Sequence, residues 1–202
     1  LQLDDRALFF GWWQEVLVGA LDPESVATDV RRGELLEVVR GWSGRAAIDD
    51  PGFRMVRAFR LYVTPLVLDP LFEGCREVES PCGWEMLGQR EGPVRRLVTE
   101  RPDHLLNPRF ENWHDLLLAA ADRVISDFAE AEGSIAGQTW GKRNMVRIRH
   151  PLSASLPAWA ARHLDMAPVP LPGDVHMPRV QGLSFGASER FVVSPGREGE
   201  GF

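Results

Sequence analysis

The hydrophobic pattern of this chain changes period once, near Gly137, and that change restricts the fold more than any other feature. Before it, apolar residues recur at helical three-and-four spacing; after it come short alternating runs separated by Gly and Pro. A few short strands cannot close a sheet by themselves, and they leave edges unpaired. The expectation is therefore an α+β chain, with a helical segment at 1–138 and a strand-and-loop segment at 139–202. Its sheet would be completed by polypeptide outside these residues, since the chain stops at Gly201-Phe202 directly after a strand-like run and a Gly-rich turn.

Within the first segment, residues 1–21 put Leu3, Ala7, Phe10, Trp13, Leu17 and Ala20 on one helical face, widened by Phe9, Trp12 and Val16. Asp22-Pro23 ends that helix. A second is expected from Glu24 to Val39, stopped by Gly41. Asp50 before Pro51 is an N-cap followed by proline at the first helical position, where a missing N–H costs nothing. The helix from Pro51 buries Phe53, Val56, Phe59, Val63 and Val67, with a kink at Pro65, and lapses into loop from Asp69 to Pro93. A short helix reaches about Glu100. Another starts at Asn112, capped with Asp115 three residues on, and runs towards Gly133. Beyond Gly137, Met145 to His150 and Val180 read as strands, as does Arg190 to Val193; Leu156 to Leu164 is a short amphipathic piece, and Ala167 to Gly173 is proline-rich.

Charge and composition exclude several classes. The chain has 202 residues, 44% hydrophobic, with a net charge of −6, so it carries no cationic footprint for nucleic acid. Its longest apolar run, Leu61 to Phe72, is interrupted by Thr64, Pro65, Asp69 and Pro70 and is too short for a bilayer span. There is no signal-peptide pattern at the start.

Few residues suggest chemistry. Gly182-Leu183-Ser184-Phe185-Gly186 fits the nucleophile-elbow pattern, but no His follows Ser184, and a strand-like Phe191-Val192-Val193 stands where a helix is required. The segment reads as a Gly-rich connection. Cys75 and Cys82 could staple a loop in an oxidising compartment or remain two thiols; two cysteines without clustered histidines do not make a structural zinc site. The five histidines show no paired-ligand spacing. Asp174, beside His176 and Arg179 in a loop, could line a cleft or cap a turn.

Read in order, several short motifs resemble the penicillin acylase (penicillin amidase) family of N-terminal nucleophile hydrolases, in the later part of the β chain. They are Trp42-Ser43-Gly44-Arg45-Ala46 with Asp49 and Asp50, then Trp140-Gly141, Arg149-His150-Pro151-Leu152, Leu171-Pro172-Gly173-Asp174, and Gly186-Ala187-Ser188 followed by Arg190. The resemblance implies a four-layer αββα fold, assembled from α and β chains cut from one precursor, that hydrolyses an N-acyl amide. The family's nucleophile is a Ser at the first position of the β chain, with its own α-amino group as general base. That Ser, the oxyanion-hole Asn and the calcium ligands lie upstream of the region matched here. Leu1 has no hydroxyl and starts inside a helical pattern, so no catalytic residue and no metal ligand is assigned to this chain. The implied partners are the remaining α and β chain segments and a small N-acyl substrate, such as a penicillin-type amide or an acyl-homoserine lactone. The implied location is periplasmic or secreted. The alternative is a non-catalytic helical interaction module with a β appendage.

Overall fold

The computed structural model describes residues 2–78, 82–129, 134–186, 195–197 and 199. Its body is helical: α1 (Leu8–Ala20), α2 (Pro23–Thr28), α3 (Val30–Arg40), α4 (Pro51–Val78), α5 (Glu91–Glu100) and α6 (Trp113–Ala129), followed by the short α7 (Trp140–Arg143) and α8 (Ala158–Ala161). Helix α4 is the axis, and α6, α1, α3 and α5 pack around it. The apolar stripes meet as expected. Phe10, Trp13 and Leu17 of α1 are buried with Phe53, Val56, Phe59, Val63 and Val67 of α4 and with Leu117, Ala120 and Val124 of α6. The Asp50 carboxylate accepts from the Gly52 and Phe53 amides, and Asn112 and Asp115 bond reciprocally, so both helix starts carry the caps their residues imply.

Three helix boundaries differ from the sequence expectation. Helix α1 begins at Leu8 because the residues before it pair with another segment: Ala46 N–H donates to Asp5 O, Ala7 N–H donates to Gly44 O, and Arg6 bridges Arg45. The start of the chain is thus not inside a helix, and Leu3 is exposed instead of core. The expected helix from Glu24 to Val39 is two, since Asp29 adopts an extended backbone and caps α3 through the Arg31 amide. Helix α4 runs past Asp69 to Val78, through Pro65 and Pro70. Pro70 has no N–H for the Leu66 carbonyl one turn back, and Asn107 Nδ2 donates to that carbonyl at 2.9 Å instead. The Asp69 carboxylate accepts from Arg76 and from Trp84 Nε1, and Cys75 is joined to Cys82 by a disulfide with Cα atoms 5.9 Å apart, tying the last turns to the following loop.

The expected strands are the largest departure. Among the described residues only isolated bridges occur, Met145 with Pro170 and Gln181 with Gly186 besides the Arg6–Arg45 bridge. Two hydrogen bonds flank the first of these, Val146 N–H to Val169 O and Leu171 N–H to Asn144 O. Prolines at 168, 170 and 172 remove the N–H donors on the opposite edge, so a further strand would find no donors there. The expected strand at Arg190 to Val193 lies outside the described residues.

Candidate functional site

Three of the sequence motifs converge in space. Trp140 N–H donates to Asp50 O and Gly141 N–H to Ile48 O, which fastens α7 to the segment after Trp42. A Cβ on Gly141 would lie 2.4 Å from Ile48 Cγ2, so only glycine permits this approach. Gly173 N–H donates to Ala46 O, its carbonyl accepts from Trp140 Nε1, and its φ of +84° is a left-handed conformation suited to glycine. Asn144 is buried, and its Nδ2 donates to Leu171 O at 2.9 Å and reaches Gly173 O at 3.3 Å. Trp42 Nε1 donates to Arg45 O, which closes the Trp-Ser-Gly-Arg turn. The motif residues are therefore occupied with one another's backbones.

The three loop candidates separate within this frame. Asp174 is buried and accepts from Arg57 Nε at 2.8 Å, while the Arg57 guanidinium lies over the Trp140 ring at 5.3 Å. His176 stacks on Phe9 with ring centroids 4.4 Å apart and borders a cleft of about 580 Å³ beside Arg60 and the segment from Glu85 to Pro93. Burial pushes the His176 pKa down, and the Arg60 charge adds to that, so the imidazole is held in its neutral form. Arg179 donates through Nε to Gln181 Oε1 at 2.8 Å and through its amide to Asp4 O. No hydrogen bond joins Asp174 to His176 or Arg179 among the described residues; the carboxylate reaches His176 only through its field.

Sequence reasoning passed over the groups that define this cleft. Glu91 accepts from Trp13 Nε1 at 2.6 Å and from Arg60 and Arg95 at 3.0 Å each. Burial raises its pKa, but these hydrogen bonds and the Arg60 charge outweigh that and leave it lowered, hence ionised. The available signal was the arginine at every third position of α4, Arg54, Arg57 and Arg60, within an otherwise apolar pattern.

Nucleophile–base geometry is weak. Ser184 is exposed in a turn closed by Gly182 N–H to Phe185 O, which is not an elbow leading into a helix. Ser25 Oγ lies 3.1 Å from His114 Nε2, but the Asp22 carboxylate approaches that same nitrogen, at 3.6 Å, and also caps α2. A triad needs its acid on the other ring nitrogen. Among the described residues no three His, Cys, Asp or Glu side chains converge on a cation position, and no helix is long and apolar enough to cross a membrane.

The family model for penicillin amidase matches residues 1–201. The chain belongs to the penicillin amidase family. The penicillin acylase 2 proenzyme of Pseudomonas sp. (strain SE83) is 27% identical over 177 residues, a stretch that covers 81% of this chain and 21% of that relative. The chain thus spans about a fifth of the length of this curated penicillin acylase, and the parent family is one of hydrolases.

Proposed function

We propose that this chain is a scaffold portion of an N-acyl amide hydrolase of the penicillin amidase family, with its nucleophile, oxyanion hole and calcium ligands supplied by polypeptide outside residues 1–202. The observation that carries this reading is the family match over residues 1–201, together with a motif cluster whose polar groups are spent on mutual support. In the chemistry proposed, a serine at the start of the β chain attacks the acyl carbonyl, and its own α-amino group, with an ordinary pKa of about 7.7–8.0, takes the proton. The amine leaves and water releases the acid. The leaving amine would be a β-lactam nucleus or a homoserine lactone. A periplasmic or secreted location agrees with the Cys75–Cys82 bond, because disulfides persist in oxidising compartments.

The test is hydrolysis of a chromogenic phenylacetyl anilide. The 202-residue chain alone is expected to release no chromophore, and co-assembly with the rest of its precursor is expected to restore release. Turnover by the pure chain would overturn the reading. A stand-alone helical interaction module is not favoured, because the family match runs through the helical and the loop-rich segments alike.

A further inference from the structure

The three arginines of α4 differ in their partners. Arg60 is paired with Glu91. Arg57 gives its Nε to Asp174, and that is its one ion pair among the described residues. Arg54 has no carboxylate partner there: its Nη1 donates to Gln138 Oε1 and Thr139 O, and its Nε is buried without an acceptor. Arg143, at the end of α7, is exposed and borders the same hollow as Arg54 and Arg57 without an ion pair among the described residues. This hollow measures about 220 Å³, and Tyr62, Phe128 and Trp140 contribute its aromatic walls.

Three guanidinium groups thus border one cavity, and among the described residues the one carboxylate that pairs with any of them is Asp174, held by Arg57. Tyr62, which lines the hollow, donates its Oη to Asp127, and that carboxylate is also paired with Arg123. Like charges gathered beside a buried, unpaired N–H are unfavourable unless an acceptor arrives. Ring contacts fix the guanidinium planes beforehand, Arg54 over Phe128 at 4.6 Å and Arg57 over Trp140 at 5.3 Å, and planar guanidinium forks match a carboxylate in two-point fashion. The geometry points to a carboxylate-binding site formed by Arg54, Arg57 and Arg143, with aromatic walls for an organic body. A free monocarboxylate and an Asp or Glu side chain from polypeptide beyond these residues present the same group.

Benzoate titrated into the full-length gene product at constant ionic strength separates these sources, with inorganic phosphate as competitor. If the carboxylate is free, benzoate binds, and the double variant Arg54→Gln, Arg143→Gln weakens it at least tenfold while Arg40→Gln does not. If a side chain already fills the site, benzoate does not bind there, and Arg143→Gln alone lowers the unfolding midpoint. That second effect requires a partner, since Arg143 has no ion pair within the described residues. Three results overturn the site: benzoate binding that survives the double variant, phosphate binding more tightly than benzoate, or no binding together with an unchanged midpoint in Arg143→Gln. None of these readouts involves amide hydrolysis, so the site stands or falls separately from the proposed activity.

Discussion

The helical body from Leu8 to Ala129 and the segment from Ser134 to Gly186 are held by different forces. In the body, side chains such as Phe10, Trp13, Phe53, Phe59, Leu116 and Ile125 are fully buried, and stability follows from apolar area. The later segment contributes few residues to that core, chiefly Ile135, Trp140 and Met177. It is positioned by backbone bonds to Asp4, Ala46, Ile48 and Asp50 and by the amide of Asn144. A polar frame of this kind specifies position closely but has little apolar reserve, so local opening should be easier there than in α4 or α6.

The largest effect is expected where the two regions share a residue. Phe53 meets Phe10 at 5.1 Å and Trp140 at 4.8 Å, edge to face. Phe53→Ala should cost about 3–5 kcal/mol in urea unfolding and loosen both regions together. A loss confined to one region would break the coupling described here. Asn144→Leu should cost about 1–3 kcal/mol, with faster amide exchange at Gly141, Leu171 and Gly173 but unchanged protection in α4 and α6. Exchange that quickened equally in the helices would show that the regions are not energetically distinct. Asn107→Ala, which frees the Leu66 carbonyl, should cost about 1 kcal/mol and weaken α4 near Pro70 without touching residues 134–186.

The smallest effects are expected from titration. Glu91 has a folded pKa below its ordinary value, so its contribution is complete above about pH 4.3 and is lost as pH falls through the folded pKa. Trp13 fluorescence should report that loss, and Glu91→Gln should remove the transition. His176 is also lowered, here because burial opposes the imidazolium; its contribution is complete above about pH 6.5 and declines as the pH drops towards the folded pKa. The unfolding midpoint should therefore fall modestly between pH 7 and pH 5, and His176→Phe should flatten that part of the curve.

Legibility followed the same division. Apolar periodicity located α1, α4 and α6 and most of their buried faces, because a helix shows its inner face at a fixed spacing. Asp50 and Asn112 were readable as caps because the bonded amides lie within three residues. The continuation of α4 through Pro70 was not, since its compensation comes from Asn107, distant in sequence. The strands anticipated at Met145 to His150 and at Val180 are reduced to bridges for a related reason: alternation permits a strand, but a sheet needs further neighbours, and Pro168, Pro170 and Pro172 offer no N–H on the edge that another strand would join.

Among the site residues, Asp174, His176 and Arg179 were near one another in sequence, yet each found its principal contact elsewhere, in Arg57, Phe9 and Gln181 respectively. From its sequence alone, this protein's helices, its capping residues and its resemblance to the penicillin amidases could be read, because these depend on local spacing and motif order. The pairing of Arg57 with Asp174, the neutral His176 and the hollow that gathers Arg54, Arg57 and Arg143 were decided only by tertiary structure. Charge balance and burial depend on which distant side chains the fold brings within a few ångströms.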